Sequence, residues 1–211
     1  MADAALYNCS GEKVEQITLP DEVFDAAPNQ ALVYQASVRL GRVRRVGSVD
    51  VKTRGEIAKT TAKWYRQKGT GHARHGSRSA SIFVGGYKAH GPHGRKTTDG
   101  LPKRMRRQAM FAVLSERRRG ARLTVLDEFA IDDYSTRRFR EILDSLDAFG
   151  KILIVIGPDE DPDEKIYRSG RNIPLLTIRT APHLSLEDLM RAERIVLTRA
   201  GLKKLEEVWL S

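Results

Sequence analysis

Between Val46 and Leu101 the chain carries neither helical nor strand periodicity, although the sequence on both sides of it does. Glycine falls at 47, 55, 69, 71, 76, 85, 86, 91, 94 and 100, and large aliphatic residues are sparse. A structureless stretch of this length is uncommon inside a compact domain and is usually functional or disordered. Two features argue against a passive linker. The stretch lies between two patterned parts rather than at an end, and it holds Trp64, Tyr65, Phe83 and Tyr87, whereas disorder-prone sequence is poor in aromatics. The expectation is a segment that becomes ordered on meeting its partner. It divides the chain into a globular domain of residues 1–45 and 102–211 and an arm of residues 46–101.

Charge is concentrated around this arm. From Arg39 to Arg122 there are 23 Lys and Arg against 4 Asp and Glu, a balance of +19. The remainder has 14 basic and 23 acidic residues, or −9, and the chain as a whole is at +10. Such a split points to a polyanion as partner of the arm, nucleic acid ahead of an anionic membrane surface. The arm is too rich in glycine for a surface-binding amphipathic helix. Apolar runs such as Ile152 to Ile156 are far too short to span a bilayer, so no membrane partner is expected. The opening Met-Ala-Asp-Ala-Ala has no basic stretch before an apolar run and is not expected to be a secretory signal. Cys9 is the only cysteine, so no intrachain disulfide can form.

The flanks are patterned. Residues 1–24 read as extended, with Ala5 to Tyr7 and Val14 to Leu19 flanking a turn at Ser10-Gly11-Glu12. Pro28-Asn29 starts a helix over about Asn29 to Arg45, marked by Val33, Ala36 and Leu40. After Pro102, the residues Met105, Ala109 and Val113 mark a helix that ends near Arg119-Gly120 with arginines in its last turn. Arg122 to Leu126 is a strand, and Phe139, Ile142, Leu143 and Leu146 form one face of a helix. Lys151 to Ile156 is a continuous apolar strand of the kind buried on both faces of a parallel sheet. Asp161 to Ser169 reads as a short helix, Leu175 to Arg179 as a strand, and Ser185-x-x-Asp188 as a capping box before Leu186, Leu189 and Met190. Ile195 to Leu197 is a strand, and Leu202, Leu205 and Trp209 line a last helix. Strands and helices alternating at this length imply a three-layer α/β/α domain with a mostly parallel sheet, interrupted near its N-terminal third by a long, extended basic loop.

A parallel sheet invites a nucleotide site, but the motifs are missing. The turn after Leu126 is Asp127-Glu128-Phe129, with no glycine, and Gly157-Pro158-Asp159-Glu160-Asp161 would repel a pyrophosphate. Gly71-x-x-x-x-Gly76 has the glycine spacing of a phosphate-binding loop, yet Ser77 stands where a lysine must reach the phosphates. His72 and His75 are three apart, as are His90 and His93, and four imidazoles could hold zinc. The cations Arg74, Arg78, Lys88, Arg95 and Lys96 around them disfavour a metal, and Asp99 is the one carboxylate nearby. No Ser/His/Asp constellation is suggested. No enzymatic activity, cofactor, metal or small-molecule substrate is therefore expected.

The arm suits RNA residue by residue. Lysine and arginine neutralise phosphates and release counterions. The candidates are Arg44, Arg45, Lys52, Arg54, Lys59, Lys63, Arg66, Lys68, Arg74, Arg78, Lys88, Arg95 and Lys96, followed by Lys103, Arg106 and Arg107 in the next helix. Trp64, Tyr65, His72, His75, His90 and His93 can stack on unpaired bases or donate to phosphate. Gly69 and Gly71 let the backbone approach a crowded surface. Close-packed folded RNA rewards such a thin segment more than a smooth duplex would.

The run Gln67-Lys68-Gly69-Thr70-Gly71-x-Ala73-Arg74-x-Gly76 closely resembles the signature of bacterial large-subunit ribosomal protein four. The resemblance extends to Thr53-Arg54-Gly55-Glu56, Ile82-Phe83-x-Gly85-Gly86, Gly91-Pro92, Leu101-Pro102-Lys103 and Arg171-Asn172, and so covers nearly the whole chain. It implies a structural constituent of the large ribosomal subunit, at work in the cytoplasm. Its globular domain would sit on the subunit surface, and its arm would penetrate ribosomal RNA. The positions Gln67, Lys68, Gly69, Thr70, Gly71, His72, Ala73 and Arg74 would lie at the tip, at the constriction of the nascent-peptide exit tunnel. The implied partners are large-subunit ribosomal RNA, neighbouring ribosomal proteins and the nascent peptide. One departure stands out: where relatives read Gly-Gly-Gly-Val before a proline-rich basic run, this chain reads Gly85-Gly86-Tyr87-Lys88-Ala89-His90-Gly91-Pro92-His93-Gly94-Arg95. The residues by themselves also admit a stand-alone regulatory RNA-binding protein, though duplex readers usually present a helix or ribbon rather than a thin arm.

Overall fold

The computed structural model describes residues 2–94, 100–129, 131, 133–160 and 164–210. The chain forms two compact units, Met1–Leu40 with Gly100–Ser211, and Gly41–Asp99.

The first unit is a mixed α/β fold around a six-stranded, mostly parallel sheet. Its strands are β1 (Ala2–Tyr7), β2 (Lys13–Leu19), β3 (Leu123–Leu126), β4 (Ile152–Ile156), β5 (Leu176–Thr180) and β6 (Arg194–Thr198), in the spatial order β2-β1-β3-β6-β4-β5. The β1–β2 pair is antiparallel; β1–β3, β3–β6, β6–β4 and β4–β5 are parallel. The hairpin turn is held by Asn8, whose side-chain oxygen accepts from the backbone N–H groups of Ser10 and Glu12 at 3.0 and 2.9 Å.

The expected extended reading of residues 1–24 holds to Leu19 and then fails. Asp21–Phe24 forms a single helical turn, α1. Pro20 precedes it with φ −63°, Asp21 and Glu22 place negative charge at its N-terminus, and the Asp21 carboxylate accepts from Ala2 N–H at 2.8 Å. Val23 and Phe24 are thereby driven into the core. Helix α2 spans Gln30–Val43, two residues short of the expected end, and Asn29 caps it by accepting from Leu32 N–H at 3.0 Å. Helix α3 spans Lys103–Arg119 and stops at Gly120.

The later elements follow the expected order. Helix α4 spans Thr136–Ser145 and buries Phe139, Ile142 and Leu143. Helix α5 spans Lys165–Gly170; positions 161–163 of the expected helix lie outside the described residues. After a 3₁₀ turn at Ala181–His183 come α6 (Leu186–Arg191) and α7 (Arg199–Leu210). Ser185 caps α6 by accepting from Asp188 N–H at 3.2 Å.

All five residues of β4 are buried, as the apolar run predicts. They alternate between two apolar clusters. Leu153 and Val155 join Phe24, Leu114, Leu189 and Leu205, while Ile152, Ile154 and Ile156 join Phe139, Leu143 and Ile166. Strand β6 does the same, with Ile195 and Leu197 in the first cluster and Val196 in the second. Among the described residues no helix is long and apolar enough to cross a membrane.

Part of the basic count is structural. In the last turn of α3, Arg118 and Arg119 donate to the Asp25 carboxylate at 2.9 and 3.2 Å, Arg119 also to Ala26 O at 2.8 Å, and Arg117 to Met190 O at 3.1 Å. Arg119, through its hydrogen bond foremost, and Arg118 hold Asp25 below the usual carboxylate range.

Candidate nucleic-acid interface

The second unit contains no helix or strand of its own among its described residues beyond the end of α2. Order comes instead from one isolated antiparallel bridge between Lys63 and Ser77, with Trp64 N–H donating to Gly76 O at 3.0 Å. That bridge closes the loop carrying residues 67–74.

Side chains finish the closure. Lys63 donates to Gln67 Oε1 at 2.7 Å and to His75 O at 3.1 Å, Arg66 donates to Gly69 O at 3.1 Å, and the Tyr65 hydroxyl donates to Ala73 O. Gly69 and Gly71 take φ of +78° and +69°, the left-handed region in which a side chain is costly. Beneath the loop, Ser77 donates to Thr60 O at 2.9 Å, its hydroxyl lies 2.7 Å from that of the buried Ser79, and Tyr87 N–H donates to Ser79 O at 3.1 Å.

Rings of this unit contact one another. Trp64 meets Phe83 edge to face with centroids 4.8 Å apart, and His75 meets Phe83 at 4.9 Å. Tyr65 lies within 6.2 Å of Trp64, His72 and His75, centroid to centroid. The Arg78 guanidinium stands 5.0 Å from the Trp64 ring centre. Trp64, Tyr65, His72 and His75, expected to stack on bases, thus have ring neighbours in one another and in Phe83; Trp64 still keeps 45% exposure.

The cations fall into distinct groups. Arg44, Arg45, Lys52, Arg54, Arg66, Lys68, Arg74, Arg78 and Lys88 are exposed. Lys59 is half-buried and donates to Val84 O at 2.9 Å. Arg54, Tyr87, Lys88, His90 and His93 line an open depression of about 460 Å³ together with Thr53 and Gly91. Arg95 and Lys96 lie outside the described residues. Lys103, Arg106 and Arg107 belong to the first turns of α3, in the other unit.

The expectation that Asp99 is the one carboxylate near the histidines is corrected. Asp50 lies 2.9 Å from His93 Nδ1, and this hydrogen bond is the main cause that lowers the Asp50 pKa. The two are forty-three positions apart, so chain proximity gave no hint of it. Among the described residues no group of three or more His, Cys, Asp or Glu could hold a metal ion. Ser77, Ser79 and Phe83 were also missed as organising residues. Only the aromatic character of Phe83 offered a signal.

The parallel sheet presents its own answer to the nucleotide question. Where β4 and β6 end, Gly157 N–H donates to Glu160 Oε2 at 2.7 Å, and the Thr198 hydroxyl donates to the same oxygen at 2.5 Å. Thr198 Oγ1 in turn accepts from Gly201 N–H in the first turn of α7 at 3.0 Å. An internal carboxylate therefore holds the donors that a phosphate would need at the carboxyl ends of the strands.

An α/β scaffold with a basic, ring-braced segment inserted in its sequence defines a class of protein suited to a polyanionic partner. The model of the ribosomal protein L4/L1 family matches residues 17–208. The chain is 37% identical over 204 residues to the large ribosomal subunit protein uL4 of Dehalococcoides mccartyi, covering 97% of this chain and 96% of that one. It is 36% identical over 209 residues to the uL4 of Carboxydothermus hydrogenoformans, covering 99% and 100%, and 37% identical over 209 residues to that of Halothermothrix orenii, covering 99% of each. The chain belongs to the ribosomal protein L4/L1 family, whose members are structural proteins rather than enzymes.

Proposed function

We propose that this chain is a structural constituent of the large ribosomal subunit in the cytoplasm and binds large-subunit ribosomal RNA through residues 46–101. Family membership supports the ribosomal part. The observation that carries the RNA part is the division of labour in the second unit. Rings and backbone groups satisfy one another, while Arg54, Arg66, Lys68, Arg74, Arg78 and Lys88 stay exposed. Exposed guanidinium and ammonium groups gain by displacing counterions from phosphates. The half-exposed Trp64 and the exposed His72 remain available to an unpaired base.

On this reading Gln67 to Arg74 form the tip that narrows the nascent-peptide exit tunnel, and the peptide passes beside them. Neighbouring ribosomal proteins are the further partners; neither a membrane nor a small-molecule substrate is involved. The scaffold of 1–45 and 102–211 is a three-layer α/β/α domain, a reading supported by the alternation of β4 and β6 residues between two apolar clusters. Its role is to anchor the arm of 46–101.

Gradient sedimentation tests this. A tagged full-length chain is expected to travel with the large subunit and to remain there at moderate salt. A protein recovered only from the free pool, or one that binds random duplex DNA as well as ribosomal RNA at matched salt, would favour a stand-alone regulator instead.

A further inference from the structure

A groove of about 390 Å³ lies among α2, α3, α7 and the segment leading into α6, wholly within the first unit. Its apolar lining includes Leu40, Met110, Leu184, Leu186, Val208 and Trp209, and its cations are Arg39, Lys103, Arg106 and Arg107. Among the described residues no acidic side chain lines it. The lining is aliphatic and thioether rather than a set of flat rings, and Trp209 is already tilted against Phe111 with centroids 5.8 Å apart. Bases are gripped by flat aromatic faces, and a phosphate backbone gains nothing over Leu and Met. Aliphatic side chains do gain there, since methionine lets a groove repack around them.

We infer that this groove docks an acidic amphipathic segment of a partner protein, with its aliphatic face on Leu40, Met110 and Leu186 and its carboxylates on Lys103 and Arg106. The commitment rests on charge complementarity: among the described residues the apolar lining is bordered by cations, Lys103 and Arg106 among them, and by no acidic side chain, the pattern that helix-in-groove recognition uses. It goes beyond the RNA-binding reading, and gives Lys103, Arg106 and Arg107 a role different from phosphate binding.

The test uses the full chain and a fluorescein-labelled peptide of about 14 residues, with leucines at i, i+3, i+4 and i+7 and glutamates elsewhere. A control peptide has the same composition with its leucines spread around the helix. Anisotropy is read at roughly 0.15 M salt, to suppress bulk attraction to a basic protein. The patterned peptide is expected to bind at least about tenfold more tightly than the control, and Arg106→Glu and Met110→Glu each to weaken it about tenfold. Arg106 is exposed on α3, so Arg106→Glu remains informative even if Met110→Glu disturbs folding. Equal binding of the two peptides, or an affinity unmoved by Arg106→Glu, overturns the inference. So does a single-stranded RNA that loses affinity on Met110→Glu while the patterned peptide does not bind, which would give the groove to RNA.

Discussion

The Phe83 ring meets Trp64 edge to face, with centroids 4.8 Å apart and planes at 87°, across nineteen positions of chain. His75 packs on the same Phe83, so one side chain joins both limbs of the loop that the Lys63–Ser77 bridge closes. Phe83→Ala is expected to remove this joint. Amide exchange at residues 60–87 should accelerate, while the melting temperature of the α/β unit shifts by no more than about 2 °C. Unchanged exchange would mean that the rings do not organise the segment.

Lys68 and Arg74 are exposed and belong to the second unit. Lys68→Ala and Arg74→Ala should leave the melting temperature of the free protein unchanged. Each should weaken ribosomal RNA binding and lower the log–log salt slope by about one. A large drop in melting temperature would contradict the division of roles.

Gly86 cannot carry a side chain, because its Cβ would lie 2.0 Å from the Ala80 carbonyl oxygen. Gly86→Ala should therefore displace the turn that ends with Gly86 N–H donating to Phe83 O at 2.9 Å. The expected result is lost protection across 79–87 and weaker RNA binding at an unaltered net charge. Full RNA affinity would show that the returning limb needs no fixed shape.

Thr198 is fully buried and bridges Glu160 and Gly201. Thr198→Val keeps the volume, yet leaves the Gly201 N–H unpaired and removes a donor from Glu160. Chemical denaturation should show a loss of about 1–3 kcal/mol. A neutral result would mean that water or a neighbour replaces the hydroxyl at no cost.

Asp25 has a lowered pKa in the folded chain, chiefly through the Arg119 hydrogen bond. A depressed carboxylate stabilises the fold above its unfolded pKa of about 3.9, and that contribution is lost as pH falls through the folded value. Asp25→Asn should flatten the acid limb of the stability profile below about pH 4 and lower stability slightly at neutral pH. The effect is small because the carboxylate is 45% exposed and screened by solvent. An acid limb identical to that of the parent would remove Asp25 from the set of acid-sensitive ties.

The scaffold was legible wherever a short-range pattern encoded it. Ile152 to Ile156 reads as a strand buried on both faces, and Ser185-x-x-Asp188 announces its helix in four residues. The single turn of α1 escaped because four residues are too few for a period; Pro20 and the acids after it were the only cue. The second unit was legible in charge and glycine but not in shape. Its ties join Trp64 to Phe83, Thr60 to Ser77, and Asp50 to His93, pairs that no local spacing connects. Glu160 shows a subtler gap. The acids after Gly157 spoke against a phosphate, but only the fold revealed that one of them sits on the donors itself.

The strand order has a consequence for the newly made chain. Strand β6 comes last in sequence yet lies between β3 and β4, so the parallel core cannot join across its middle until residue 198 has been synthesised. The basic segment is translated about a hundred residues earlier, at roughly 5–20 residues per second. For several seconds, then, a cationic loop precedes the domain that will carry it, among nucleic acids of every kind. The strand order thus leaves the cationic loop made before its scaffold can close.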